Sequence, residues 1–162
     1  MYPIHDTDAQ LLLATLIASK RRPAALAEIV AAAEFMGCPV TAPKAWASAF
    51  ERFSTHGLLV AEGEGYVLTA VAQAMAGGLP KKAETDERVF LVREKLSAYK
   101  PLAESVPIEM SAEQFEAALA EHAALSQQGG KNLLMPKPKR DDDDRPRRPQ
   151  GRRPFGNARR RP

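Results

Sequence analysis

Residues 41–69 place the strongest constraint on the fold, because they carry the signals for a helix and a hairpin in direct succession. Thr41 is suited to cap a helix, and Pro43 fits its first turn, where a missing N–H has no consequence. Apolar residues then recur at helical spacing, which predicts one buried face made of Trp46, Ala49, Phe50 and Phe53. Gly57 is expected to end this helix in the left-handed conformation.

Two short β-prone runs follow, at residues 58–61 and 66–69, and the Gly-containing turn between them predicts a β-hairpin. Glu62 and Glu64 flank Gly63 at the tip of this hairpin. Upstream, helices are predicted over residues 8–19, opened by a capping box of Thr7 and Gln10, and over residues 23–37. The predicted order is therefore three helices and then a hairpin.

A helix that ends in Gly-Leu-Leu and leads directly into a small hairpin is similar to the recognition helix and wing of the winged helix-turn-helix superfamily. The order of elements over residues 5–80 matches that family as well. The resemblance implies a mainly α fold with a small β-hairpin, and a third helix that enters the major groove of DNA. On this helix Lys44, Ser48 and Arg52 lie in one line at four-residue steps, so they are the candidate contacts to bases or phosphates.

A helical extension is predicted over residues 81–128. Thr69 is expected to cap a short helix to Met75, Thr85 a longer one, and Ser111 with Gln114 a third through a capping box. The last two helices carry apolar stripes, made of Val89, Val92, Leu96 and Tyr99 and of Phe115, Ala118, Leu119, His122 and Leu125. Either these helices close on each other and on the first helix, or they pair in a homodimer. The small core slightly favours the dimer.

Charge divides the chain sharply. Residues 1–128 hold 11 Lys and Arg against 16 Asp and Glu, whereas residues 129–162 hold 12 against 4. The second segment is rich in Arg, Pro and Gly and has too few apolar residues for a core, so it is predicted to be a disordered basic tail. We expect it to bind the phosphates of DNA or RNA through Arg145, Arg147, Arg148, Arg152, Arg153, Arg159, Arg160 and Arg161. A further basic triplet, Lys20, Arg21 and Arg22, either contacts phosphate or pairs with the dipole of the first helix.

Motifs of catalysis and of cofactor or metal binding are missing from the sequence. There is no phosphate-binding or dinucleotide-binding glycine motif, and His5, His56 and His122 lack partners at metal-ligand spacing. Cys38 precedes a helix, which could lower its pKa, but an inert thiol is the favoured interpretation. We therefore expect neither an enzyme nor a metal or cofactor site. The single cysteine, the absence of a basic signal region and the lack of an apolar run of about 20 residues favour a cytoplasmic protein without a membrane span.

Two functions remain open on these grounds. The first is a small bacterial DNA-binding transcriptional regulator, in which the winged helix gives orientation and the basic tail gives non-specific affinity. The alternative is a protein-interaction or RNA- or ribosome-associated adaptor whose winged helix docks a protein. Glu62 and Glu64 on the wing would be repelled by phosphate, and they suit a protein partner.

Overall fold

A computed structural model describes residues 4–101 and 105–128, which form six α-helices and one antiparallel hairpin of two strands. This confirms the predicted mainly helical fold with a small β-hairpin. The elements in chain order are α1 (Asp6–Ala18), α2 (Leu26–Phe35), α3 (Pro43–Thr55), β1 (Leu59–Glu62), β2 (Gly65–Leu68), α4 (Ala70–Gly77), α5 (Thr85–Ala98) and α6 (Ala112–Gln128). Within the described ranges no helix is both long and apolar enough to cross a membrane.

The core lies where α1 packs against α2 and α3 and against the base of the hairpin. Its largest fully buried side chains come from all of these elements and include Leu11, Leu12, Ile29, Phe50, Phe53 and Leu58. The predicted apolar face of α3 is confirmed, because its two phenylalanines, Trp46 and Ala49 are all buried. The rings of Tyr66 and Phe50 pack edge to face with their centroids 4.6 Å apart, which joins β2 to this face of α3.

Glycines end α2 and α3 as their positions in the sequence predict. Gly37 and Gly57 have φ angles of 79° and 66°, values that only glycine adopts readily. After each glycine the next backbone N–H turns back to the helix, from Cys38 to the Ala33 carbonyl and from Leu58 to the Phe53 carbonyl, both at 2.9 Å. The last carbonyls of both helices are thereby satisfied.

Several predicted helix starts were wrong by one to three residues. Ala42, not Thr41, caps α3, and Glu84, not Thr85, precedes α5. The first helix begins at Asp6, so Thr7 and Gln10 lie inside it. The cap at this end is formed instead by the Asp8 carboxylate, which accepts the His5 N–H at 2.9 Å. The pair of His5 and Asp8 has the same three-residue spacing as the predicted pair of Thr7 and Gln10. Spacing alone therefore could not decide which pair caps the helix.

The second helix begins at Leu26 rather than at Pro23, because the residues before it pair with the hairpin. Ala24 forms an antiparallel bridge with Tyr66, with both N–H···O bonds at 2.9 Å. Gly65 makes this approach possible, since a Cβ atom there would lie 2.8 Å from the backbone carbon of Pro23. At the hairpin tip Gly63 has a φ of 62°, and Glu62 pairs with Gly65 across the turn. The hairpin is therefore held against the α1–α2 connection.

The two C-terminal helices pack on different sides of the core. α5 lies against α1 and α4 and buries Val89, Val92 and Leu96, whereas α6 lies against α2 and α3 and buries Phe115 and Ala118. Because the chain itself covers these stripes, they do not need a second copy of the protein to be buried. A homodimer stays a prediction. Leu125 is 56% exposed, so the predicted stripe of α6 does not continue to that turn.

The predicted capping box at the start of α6 is confirmed. The Ser111 N–H donates to Gln114 Oε1 at 2.9 Å, and the Gln114 N–H donates to Ser111 Oγ at 3.2 Å. The segment that leads into α6 runs beside α3, where the Ser105 N–H donates to the Thr55 carbonyl and the Ile108 N–H to Ser54 Oγ. This segment therefore covers part of the C-terminal half of α3.

Candidate nucleic-acid interface

The three predicted contact residues of α3 meet different environments. Lys44 and Ser48 are exposed, and neither makes an ion pair or hydrogen bond through its side chain to any residue that the structure describes. Arg52 instead donates from Nη2 to the Asp8 Oδ1 atom of α1 at 2.6 Å. Its side chain is 23% exposed and that of Asp8 is 0% exposed. All three residues lie on α3, but the guanidinium of Arg52 is bound into the fold.

Asp8 was missed as an important residue at the sequence level. Its two carboxylate oxygens serve two elements, because Oδ2 accepts the His5 N–H and Oδ1 accepts Arg52. The signal that could have revealed it is helical spacing, since Asp8 precedes the buried Leu11, Leu12 and Thr15 by three, four and seven residues. A carboxylate on a buried helical stripe requires a partner. That partner is Arg52, which lies 44 positions away in the chain, so the local sequence around Asp8 could not indicate it.

The exposed face of α3 lies between two shallow clefts. On one side His5, Thr7, Ala45, Ser48 and Arg52 line a cleft of about 330 Å³. On the other side Glu51 shares a cleft with Glu109 and the start of α6. Carboxylates therefore flank the C-terminal half of α3, and Lys44 is the one cation of this helix that pairs with no acid among the described residues. The face is of mixed charge rather than basic.

The acidic hairpin tip and the basic triplet are brought together by the fold. Arg22 pairs with Glu28 and lines a cleft that is shared with Glu62, Glu64 and Gly65. Three carboxylates thus surround Arg22, which lowers its value as a phosphate contact. Lys20 and Arg21 are exposed and have no ion pair with any described residue, so they stay available for an anionic partner.

The remaining reactive residues form no metal-binding cluster in the described part of the chain. No group of three His, Cys, Asp or Glu there could hold a metal ion. Cys38 is buried, and this burial raises the pKa of its thiol, with a smaller contribution from the Asp86 carboxylate. The idea that the following helix lowers this pKa was therefore wrong. The thiol is held in its protonated, less reactive form.

The predicted arginine contacts from Arg145 to Arg161 lie outside the described residues, as does the rest of the predicted tail. Neither a protein-family model, nor a curated protein, nor a solved structure matches this chain. Its role is therefore inferred from its own residues.

Proposed function

We propose that this chain is a non-enzymatic nucleic-acid-binding protein whose Arg-rich segment, residues 129–162, supplies the affinity for phosphate. The observation that carries this proposal is the division of charge. Twelve Lys and Arg lie in those residues, while residues 1–128 have five more acidic than basic side chains. A basic segment of this density releases counterions from DNA or RNA of almost any sequence. The folded part, by contrast, repels a polyanion overall.

The proposal includes a winged helix fold for residues 5–80. The order of α1, α2, α3 and then a hairpin supports it, as does the packing of Tyr66 on Phe50 of α3. The bridge between Ala24 and Tyr66 supports it further, because it holds the hairpin against the connection between α1 and α2.

The geometry of Arg52 favours the adaptor form of this function over the regulator that reads a DNA sequence. An arginine that recognises a base or a phosphate must be accessible and must keep its charge available to the ligand. The Arg52 side chain is only 23% exposed, and its Nη2 donates to the fully buried Asp8 carboxylate, which neutralises the charge. Lys44 alone would then supply the positive charge of the exposed face of α3. A mixed-charge α3 beside an acidic wing suits contact with a protein, while the Arg-rich segment binds RNA or DNA.

Replacing the tail arginines tests the nucleic-acid part of the proposal. A full-length variant carries glutamine at Arg145, Arg147, Arg148, Arg152, Arg153, Arg159, Arg160 and Arg161, and fluorescence anisotropy measures its binding to duplex DNA and single-stranded RNA over a range of salt concentrations. We expect weaker binding and a flatter salt dependence, by about 0.9 in the slope of log K for every duplex phosphate that the variant no longer neutralises. Unchanged affinity and slope would show that these arginines do not bind the phosphates.

Reversing the charge of the wing separates the two forms. If the wing lies on DNA, Glu62→Lys with Glu64→Lys should tighten binding at low salt and less at high salt, because screening shortens the reach to about 8 Å at physiological ionic strength. In the adaptor form, DNA affinity changes no more than in a control that carries Glu113→Lys and Glu116→Lys on the exposed side of α6. If DNA binding becomes tighter in the wing variant but not in the control, the result favours the regulator form.

A further inference from the structure

A second surface of the folded part combines an apolar floor with positive charge that has no ion-pair partner among the described residues. Leu16, Ile17, Ser19, Lys20 and Gln73 line a cleft of about 470 Å³ between the end of α1 and α4. Its lining is mostly apolar, and Ile17 is 41% exposed within it. When a partner covers an aliphatic side chain exposed in a concave surface, the apolar area removed from water stabilises the complex.

The two uncharged polar side chains of this cleft are already engaged within the fold. Ser19 Oγ donates to the Thr15 carbonyl at 2.6 Å, and the Gln73 amide donates from Nε2 to the Leu68 carbonyl at 2.9 Å. Neither group therefore needs a ligand to satisfy that donor. What the cleft offers a partner is the apolar surface of Leu16 and Ile17 and the charge at its rim.

The charge at the rim is positive, and no ion pair among the described residues balances it. Lys20 lines the cleft and Arg21 follows it, and neither forms an ion pair with any residue in the described ranges. The neighbouring Arg22, by contrast, pairs with Glu28. An anionic group that approached the apolar floor would therefore meet two cations free to bind it.

We propose that this cleft docks a protein segment that presents apolar side chains next to carboxylates, such as one face of an acidic amphipathic helix. Such a segment places an aliphatic group on Ile17 while its Asp or Glu side chains reach Lys20 and Arg21. A nucleic-acid backbone matches the charge but has no apolar group for the floor. A lipid bilayer matches both but requires a convex apolar surface, and this one is concave. The proposal rests on the adaptor form of the proposed function and adds to it a second protein-binding surface, separate from α3 and the wing, with a partner chemistry of its own.

The test uses a synthetic helical peptide with leucine on one face and glutamate on the other, titrated into the isotopically labelled full chain. The Arg-rich segment will also attract glutamates, so the readout is residue-specific chemical-shift change in NMR spectra. We expect saturable shifts at the amides of residues 16–20 and of Gln73. Ile17→Ser and Lys20→Glu should each weaken binding at these amides by about tenfold, which corresponds to about 1.4 kcal/mol.

The matched control is Val60→Ser, because Val60 on β1 is 40% exposed and lies outside the lining of the cleft. This variant should bind the peptide like the unaltered chain. The proposal is overturned if the peptide gives no shifts at the cleft, or if a peptide with lysine in place of glutamate binds there equally well. It is overturned as well if single-stranded RNA or phosphatidylserine vesicles produce the same shifts. RNA affinity measured on the Ile17→Ser protein keeps this failure distinct from a failure of the nucleic-acid proposal, because that affinity should stay unchanged.

Discussion

The Arg52–Asp8 ion pair can be tested by removing the guanidinium with Arg52→Ala. The variant removes the cation from the Asp8 carboxylate, which is fully buried in the unaltered protein and also accepts the His5 N–H at 2.9 Å. A buried charge that is deprived of its partner is strongly destabilising, because no water replaces the missing interaction. The variant should therefore be less stable, whatever it does to nucleic-acid binding.

The size of this effect follows from the burial of the two side chains. Breaking a fully buried ion pair costs about 3–5 kcal/mol of the free energy of unfolding. Arg52 is 23% exposed and the His5 N–H remains in place, so we expect about 2–3 kcal/mol, below that range. For a folded part of this size, each kcal/mol lowers the melting temperature by about 3 °C, which predicts a decrease of about 6–9 °C.

The protein itself provides a matched control for this measurement. Arg93 of α5 binds Asp6 of α1 at the same distance of 2.6 Å, but these side chains are 45% and 63% exposed. Arg93→Ala should therefore cost less than about 1 kcal/mol, because water screens the pair and replaces it. Urea unfolding followed by circular dichroism gives both free energies, and a double-mutant cycle with Asp8→Asn gives the coupling energy.

Two results would refute this reasoning. If Arg52→Ala and Arg93→Ala lower the free energy of unfolding by the same small amount, the burial of Asp8 does not govern the pair. If Arg52→Ala keeps its stability but no longer prefers a DNA sequence, Arg52 is free to contact bases, as its position on α3 predicts. In that case binding to the preferred sequence should weaken by about 1–3 kcal/mol.

Three further predictions concern the packing and chemistry of the folded part. Gly65→Ala should lower stability by about 1–3 kcal/mol, because the new Cβ atom would lie 2.8 Å from the backbone between α1 and α2; Gly77→Ala, with nothing within 4 Å of its Cβ, should not lower the melting temperature. Phe115→Ala should cost about 3–5 kcal/mol, because this ring is fully buried, whereas Phe35→Ala, whose ring is 86% exposed, should change the urea midpoint little. Burial and a nearby carboxylate raise the pKa of Cys38, so at mildly alkaline pH its thiol should react with Ellman's reagent far more slowly in native buffer than in urea.

Features that depend on neighbours in the chain could be predicted from the sequence. Gly37 and Gly57 end their helices because a left-handed residue strongly favours glycine, and this preference needs no information about the rest of the fold. The capping box of Ser111 and Gln114 is equally local, since both partners lie within one turn of α6. The buried stripes of α3 and α5 were predictable from helical periodicity for the same reason.

Features that depend on distant residues could not be predicted in this way. The contact between Ile108 and Ser54 joins residues 54 positions apart, and nothing in either local sequence indicates it. Ala24 illustrates how such a contact changes local structure. Helix propensity favours a helix from Pro23 onward, but pairing of Ala24 with Tyr66 keeps these residues extended until Leu26. Backbone hydrogen bonds to the hairpin outweigh a propensity difference that amounts to a few tenths of a kcal/mol per residue.

The outer face of α3 shows why a correct alignment does not establish an interface. The four-residue spacing of Lys44, Ser48 and Arg52 does place them on one side of the helix, yet periodicity gives no information about which side chains other elements have already bound. Asp8 binds the guanidinium of Arg52, because a buried carboxylate without a cation is strongly destabilising, whereas an exposed helix face loses no stability when its arginine is paired. Lys44 then remains as the cation of that line. Since phosphate affinity grows with the number of cations in contact, the positive charge needed for strong binding has to come from outside α3. Residues 129–162 hold 12 Lys and Arg, more than the 11 found in all of residues 1–128, which is why we propose that the phosphate contacts lie there and the contacts to protein on residues 1–128.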